Sequence, residues 1–352
     1  MARTNELRFT SVEICAGAGG QAVGLHNAGF KHEALIEIDR DACQTLRDNI
    51  ETHPEWSGCK VIQADLKEFD PMTLGLVPGE LDLLAGGVPC PPFSVAGKQL
   101  GRDDERDLFP EMIRLARDLS PKAVMIENVR GILDPKFAEY REEITKELES
   151  DDLGYAVQYW RLLEAKDYGV PQLRPRAILV AVKRDIAKYF QATIPEPRQI
   201  VTVGEALEDS MRERFNRVDD ARAGEAFKKW YEKALEGVAP TIVGGSKKHG
   251  GADLGPTRAK KAWAALGVCG LGVANEPDDM KDPDRDLFSH SGPKLTVTQA
   301  AIIQGFPEHW KFAGRKTAAY RQVGNAFPPP VAQAVGEQIY AALVAAAEVQ
   351  EG

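Results

Sequence analysis

Three stretches of this chain set reactive side chains in stiff or extended backbone, and they bound the chemistry open to it. Gly87-Val88-Pro89-Cys90-Pro91-Pro92-Phe93-Ser94 surrounds one cysteine with three prolines. Neither a helix interior nor a central strand accommodates that run, so it reads as a stiff loop. A thiol fixed in such a loop suits nucleophilic attack. A lone cysteine is more often a small buried hydrophobe, and Cys15, Cys43, Cys59 and Cys269 fit that plainer reading. Cys90 is the candidate nucleophile. Met125-Ile126-Glu127-Asn128-Val129 ends an apolar run with a carboxylate. Partial burial raises a carboxyl pKa, which makes Glu127 a candidate to hold or exchange a proton near neutral pH. Taken alone, a strand-end glutamate paired with an arginine is the simpler expectation. Gln172-Leu173-Arg174-Pro175-Arg176 places two arginines at alternate positions of an extended segment, both on one side. Arg174 and Arg176 could clamp a carboxylate, a phosphate or a base edge, or simply form ion pairs.

A fourth stretch suits binding. Cys15-Ala16-Gly17-Ala18-Gly19-Gly20 follows an apolar run and precedes a helical one. Glycines there allow a tight turn and close approach of a ligand to the helix start. Glu37, at the end of the next apolar run, is placed to accept from ribose hydroxyls, and Asp65 from an adenine amino group. Glycines that merely turn the chain are the bland alternative. With Glu37 and Asp65 in register a nucleoside-containing cofactor is the better reading. NAD and S-adenosyl-L-methionine both satisfy it.

These residues need a scaffold, and the hydrophobic pattern supplies one. Phe9 to Ile14, Ala34 to Ile38, Lys60 to Gln63, Leu81 to Leu84, Ala123 to Ile126 and Ala177 to Val182 read as buried strands. Helical patterns lie between them near Gln21 to Ala28, Asp41 to Ile50, Leu108 to Leu119 and Lys136 to Leu148. Strands alternating with helices predict an α/β fold with a doubly wound, mostly parallel sheet. The candidate residues then fall at carboxyl ends of strands, where open α/β sheets bind ligands. After Arg184 the character changes: a proline-bearing segment, a mixed-charge helical stretch from Val203 to Leu235, then a glycine-rich region from Gly244 to Gly255. Helical periodicity returns at Leu295 to Gln304 and at Val331 to Ala346. Residues 184–293 are expected to form a smaller inserted domain, with 1–183 and 294–352 forming the first.

Composition narrows the classes. The chain has 352 residues, 43% hydrophobic and 28% charged, which suits one or two globular domains rather than disorder. No run approaches the roughly 18 to 20 apolar residues of a membrane helix. Met1 to Arg8 has no signal-peptide core behind it, so a cytoplasmic, membrane-free protein is expected. Five cysteines without a Cys-x-x-Cys pair argue against a disulfide framework or a cysteine-built zinc site. A net charge of −9 opposes indiscriminate coating of nucleic acid but allows a local basic patch. Lys247, Lys248, Arg258, Lys260 and Lys261 stand against Asp253 alone between Gly244 and Lys261. Lys311, Arg315, Lys316 and Arg321 have no acid among them between Trp310 and Val331. Such patches could neutralise phosphates, though a solvated loop is nearly as good a reading for Gly244 to Gly251.

Taken in order, these segments resemble the bacterial DNA (cytosine-5) methyltransferases. The resemblance runs through the glycine loop, the Pro89-Cys90 loop, Glu127-Asn128-Val129 and Gln172-x-Arg174-x-Arg176. It continues through Leu295-Thr296, Gln304-Gly305-Phe306-Pro307 and Gln322-Val323-Gly324-Asn325. It implies a Rossmann-like methyltransferase sheet, a target-recognition role for 184–293, and S-adenosyl-L-methionine as cofactor. It also implies that Cys15, Ala16, Gly17, Gly19, Gly20, Glu37, Ile38, Asp65, Leu66, Pro89, Leu108, Asn325 and Ala326 line the cofactor site. Cys90 would add to cytosine carbon 6, Glu127 would engage ring N3 and the amino group, and Arg176 with Arg174 would hold the base carbonyl. Nearby cations would also favour the Cys90 thiolate. No metal is required. The cytosine must leave the stack to reach Cys90, and Ser94 to Phe109 would form a closing loop with Ser94 near a phosphate. The expected partner is double-stranded DNA, contacted by Ser94, Lys247, Lys248, Arg258, Lys260 and Lys261. A cognate restriction endonuclease acting separately and a monomeric state are also implied. A transfer-RNA cytosine methyltransferase on the same fold is the alternative; a catalytically dead relative and a nicotinamide enzyme explain fewer of the segments. The chain departs from the family pattern where an aromatic residue usually follows the first strand: Cys15 stands there. Lys294 replaces the usual arginine before Leu-Thr, and Pro91 follows the cysteine where glutamine is frequent.

Overall fold

A computed structural model of the chain describes residues 9–51, 53–89, 107–193, 199–244 and 252–351. Cys90, Ser94, Lys247 and Lys248 lie outside the described residues, as does most of the expected closing loop. By its internal contacts the chain forms two compact units. The first comprises Met1–Leu163, Pro175–Pro195 and Val331–Gly352; the second comprises Glu164–Arg174 and Glu196–Pro330.

The first unit is built on a seven-stranded sheet of order β3-β2-β1-β4-β5-β7-β6. Its strands are β1 (Phe9–Ile14), β2 (Phe30–Glu37), β3 (Lys60–Gln63), β4 (Leu83–Gly86), β5 (Ala123–Val129), β6 (Tyr155–Glu164) and β7 (Pro175–Lys183). The pairs β1/β2, β1/β4, β2/β3 and β4/β5 are parallel, and β5/β7 is antiparallel. The expected doubly wound, mostly parallel sheet is therefore present. Helices α1 (Gly20–Asn27), α2 (Arg40–Ile50), α3 (Phe109–Leu119) and α4 (Ala138–Leu148) connect the strands.

Strand alternation decides which residues face which layer. Val12 and Ile14 of β1 join Ile36, Leu84, Val124, Ile126, Leu179 and Ala181 in one core, closed by Met112, Leu115 and Leu119 of α3 and Ile144 and Leu148 of α4. The opposite parity, Phe9, Ser11 and Glu13, faces the other layer. Ser11 Oγ lies 2.9 Å from His32 Nδ1, and His32 Nε2 lies 3.0 Å from the Ala22 carbonyl oxygen on α1. Helices thus pack on both faces of the sheet, α3 and α4 on one and α1 on the other. Connections leave β1 and β4 in opposite directions, so the crevice between those adjacent strands is the topological switch point.

The remaining helices are α5 (Arg184–Ala187), α6 (Val203–Asn216), α7 (Ala223–Ala234), α8 (Thr257–Ala265), α9 (Pro283–Asp286), α10 (Val297–Gln304), α11 (Lys316–Asn325) and α12 (Pro329–Glu351). In the second unit α6 and α10 both begin with a reciprocal cap, Thr202 with Glu205 and Thr296 with Gln299. Arg214 of α6, buried, donates to the Lys294 carbonyl and to Gln299 Oε1, both at 2.7 Å. This ties α6 to the start of α10. Among the described residues no helix is long and apolar enough to cross a membrane.

Candidate active site

The glycine loop turns where β1 ends. Cys15, Gly17 and Gly19 all have positive φ, at 51°, 54° and 87°. Gly17 and Gly19 adopt that region at little cost, whereas Cys15 is strained there. Ala16 N donates to the Ile36 carbonyl and Gly19 N to the Ala16 carbonyl, which closes the turn before Gly20 opens α1. Glu37, at the end of β2, holds the loop from the side. Its Oε2 accepts from Gly17 N at 2.7 Å, and its Oε1 accepts from Ile38 N and Asp39 N at 2.8 Å each. A carboxylate offers about four acceptor positions, so Glu37 keeps capacity for a hydroxyl donor.

Three observations test whether S-adenosyl-L-methionine fits this edge. A Cβ built on Gly17 would meet nothing within 4 Å, so the loop fronts open space. Ile38 is 61% exposed directly after the buried Glu37, an apolar surface waiting for a cover such as a base. Asp65 and Leu66 follow β3, with Leu66 buried and Asp65 half-buried. The glycine loop, the Glu37 carboxylate, the exposed Ile38 and the Asp65 carboxylate all stand at the ends of β1, β2 and β3. The residues present fit the group.

Carboxyl ends of β4, β5 and β7 carry the second cluster. In the antiparallel β5/β7 ladder Glu127 faces Ile178 and Val129 faces Arg176, which makes Glu127 and Arg176 diagonal neighbours on one face. Arg176 Nε donates to Glu127 Oε1 at 2.7 Å, and both side chains are largely buried. A Cβ on Gly87 would stand 3.0 Å from Glu127 Oε2, so glycine at that position lets the carboxylate lie against the backbone entering the Pro89-Cys90 segment. Asn128, buried beside it, donates from Nδ2 to the Val88 carbonyl at 2.9 Å and accepts from Val129 N through Oδ1. Pro89 O accepts from Leu108 N at 3.3 Å, which ties the end of the Gly87–Pro89 stretch to the start of α3. Asp107, buried, accepts from Phe109 N and from the Tyr140 hydroxyl and so links the start of α3 to α4.

Burial raises the thiols of Cys15, Cys43 and Cys59 above the ordinary cysteine range. Cys43 is pushed up to about 11 and Cys59 to about 12. For Cys15 burial acts first and the carboxylates of Glu37, Glu13 and Asp65 add to it. None of these three is poised as a thiolate. Glu13, buried on β1, is likewise held well above the usual carboxyl range by burial and then by Glu37.

Arg174 differs from the expectation. Its guanidinium, 1% exposed, donates to the carbonyl oxygens of Ile242 (2.7 Å), Gly324 (2.7 Å) and Ala326 (2.8 Å). Gln172 Nε2 donates to Gln304 Oε1 at 2.6 Å while its Oε1 accepts from Ile242 N at 2.8 Å, and Gln304 Nε2 donates to Ala326 O. Gln172, Arg174 and Gln304 thus close a buried circuit inside the second unit. The shared clamp expected of Arg174 and Arg176 is not what these bonds show: Arg176 pairs with a carboxylate, and Arg174 ties backbone together. The physical reason is that β7 begins at Pro175, so Arg174 escapes the alternation that governs Arg176. The circuit fixes the end of α11, where Asn325 is exposed and Ala326 buried. Of the described basic candidates, Arg258 and Lys261 are exposed on α8, whereas Lys260 is paired with Asp253 at 2.6 Å. The sequence signals Asn128 and Asp107 only faintly: Asn128 sits beside the more conspicuous Glu127, and Asp107 ends a run of six charged residues from Arg102.

A family model described as C-5 cytosine-specific DNA methylase matches residues 9–341, nearly the whole chain. The chain belongs to that family. Its relatives in the C-5 cytosine-specific DNA methylase family include the Type II methyltransferase M.NaeI of Lentzea aerocolonigenes, 52% identical over 335 residues, covering 94% of this chain and 75% of that protein. The Type II methyltransferase M.NgoMIV of Neisseria gonorrhoeae is 51% identical over 342 residues, covering 96% and 99%. Among solved structures, DNMT2 of Spodoptera frugiperda aligns with a TM-score of 0.63 at 15% identity, covering 95% of this chain and all of that one. At that identity the likeness concerns the fold alone.

Proposed function

We propose that this family member transfers a methyl group from S-adenosyl-L-methionine to carbon 5 of a cytosine extruded from duplex DNA. We place it as the modification arm of a restriction-modification system, with the endonuclease a separate protein and the methyltransferase acting as a monomer. The Type II names of relatives above 50% identity support the restriction setting. The observation that carries the chemistry is the Glu127–Arg176 pair set against Gly87, three residues before Cys90.

S-adenosyl-L-methionine, when bound, supplies an electrophilic methyl group. Carbon 5 of cytosine is too weak a nucleophile to take it unaided. Addition of the Cys90 thiolate to carbon 6 makes carbon 5 enamine-like, which is covalent catalysis. Glu127 engages ring N3 and the amino group as charge develops there, and Arg176 turns toward the base carbonyl while keeping the carboxylate compensated. Loss of the carbon 5 proton to water or hydroxide lets the thiolate leave and restores the aromatic ring. Because carbon 6 is buried in the stacked duplex, the base has to flip out to reach Cys90. Glu37 accepts from the donor's ribose, Asp65 from its adenine, and the loop from Cys15 to Gly20 makes room for it. Target recognition is proposed for 184–293, with Arg258 and Lys261 on phosphates.

Bisulfite sequencing of DNA from a host expressing the chain tests this reading. Unconverted cytosines at one short sequence are expected in wild type and absent with Cys90→Ala. Methylation of transfer RNA in place of DNA, or retained methylation in the variant, would overturn it.

A further inference from the structure

We infer that Arg114 is a positioning residue for the methyl donor: it fixes the 65–69 turn against α3 and so sets the spacing between Asp65-Leu66 and Leu108. The inference rests on the donor reading above, and it concerns a side chain that none of the family segments includes. Arg114 sits in the middle of α3. Its Nη2 donates to two carbonyl oxygens of the turn after β3, Leu66 at 2.9 Å and Phe69 at 3.0 Å. Two carboxylates of the same helix aim it: Nε donates to Glu111 Oε2 at 2.8 Å and Nη1 to Asp118 Oδ2 at 3.3 Å. A guanidinium held on both sides by its own helix is preorganised before the turn meets it.

The turn needs such a tie. Leu66 and Phe69 insert their side chains into the core that α3 covers, which fixes how deep the segment sits. Apolar contact is non-directional and leaves its rotation loose. Within the segment Glu68 N donates to Asp65 O, Phe69 N to Leu66 O, and Lys67 N to Asp65 Oδ1, so it moves as one piece. Arg114 supplies the directional bonds from this piece to the helix. That helix begins immediately after Leu108, whose own N–H is bound to Pro89 O. Asp65, Leu66 and Leu108 are thereby set on a common frame whose cross-brace is Arg114, which touches no reacting atom.

Arg117, three residues on, provides the matched control. It pairs with Asp152 and Glu147 and makes no bond to the 65–69 turn. The full-length wild type, R114M, R114K and R117M are compared by calorimetric binding of S-adenosyl-L-homocysteine, by steady-state methyl transfer to duplex DNA, and by thermal melting. R114M is expected to raise the donor KM and the product Kd about tenfold, the loss of a charge-assisted bond. Its kcat at saturating donor stays within about twofold, and its KM for DNA is unchanged. R114K, an ammonium that reproduces only part of the fork, recovers part of the loss. R117M lowers the melting temperature and leaves donor affinity as in wild type. Unchanged donor affinity in R114M, or an equal loss in R117M, overturns the inference. Should R114M not fold, R114K decides: a donor KM raised threefold or more at unchanged kcat supports it, and an unchanged KM refutes it. A wild-type chain that binds neither donor nor product overturns the donor reading itself.

Discussion

Glu127 and Arg176 illustrate how a pair of charges becomes a site. Each alone is an ordinary strand residue; the ladder makes them diagonal neighbours and Gly87 leaves the carboxylate room. Replacing Glu127 by Gln keeps the shape and removes the charge. Single-turnover methyl transfer is expected to fall by about 10² to 10⁴, the range of a lost general acid or base, while product binding is unchanged. Equal loss in binding would mean that the residue serves the donor instead. Arg174 belongs to the other kind of buried charge. R174M takes a donor from each of its three carbonyl partners, with Gln304 still reaching the Ala326 oxygen, and is expected to cost about 3 kcal/mol or more. Urea denaturation measures that loss, and a variant as stable as wild type but inactive would return Arg174 to the chemistry.

Helix α8 carries a sharper test of where phosphates bind. Arg258 and Lys261 lie one turn apart and exposed, while Lys260 is bound by Asp253. R258A and K261A are each expected to weaken DNA binding across all sequences and to reduce the salt slope by about 1, with K260A leaving the slope unchanged. Binding isotherms at several salt concentrations would show it, and an equal effect of all three would remove the distinction. The elements themselves were unevenly legible. β1 and β3 have the bounds their apolar runs imply, because parallel buried strands read as short hydrophobic blocks between turns. β6 gives no strand signal: it is an edge strand whose residues are mostly half-buried, so YAVQYWRLLE shows no clean alternation. The stretch from Val203 to Leu235 resolves into α6 and α7, broken after Asn216, and α11 occupies a segment whose basic residues are a stronger signal than its period. The site was legible as separate pieces. Glu127 and Arg176 could each be named, but their meeting depends on an antiparallel register that no local pattern encodes. The Gln172–Arg174–Gln304 circuit joins positions far apart in sequence for the same reason.

Titration links the buried interior to the behaviour of the entire chain. His32 stacks on Trp56 with ring centres 5.0 Å apart, and burial together with the nearby His26 lowers its pKa from 6.5 to about 3. Unfolded chains take up that proton near 6.5, so falling pH favours the unfolded state. The contribution is complete above pH 6.5 and is lost progressively toward pH 3. Denaturation midpoints for wild type are therefore expected to drop between pH 7 and pH 4, and His32→Gln, whatever its baseline, is expected to flatten that dependence. An unchanged slope in the variant would assign acid sensitivity to other groups. For the covalent chemistry itself, a mechanism-based trap reads the outcome in one step. A duplex carrying 5-fluorocytosine at the target position has no removable proton on carbon 5, so the bond from Cys90 to carbon 6 cannot be eliminated after methyl transfer. Incubation with S-adenosyl-L-methionine should yield a DNA–protein species that survives denaturing electrophoresis and maps to Cys90 by mass spectrometry. Absence of that species from a preparation that methylates the unmodified duplex would contradict the covalent mechanism.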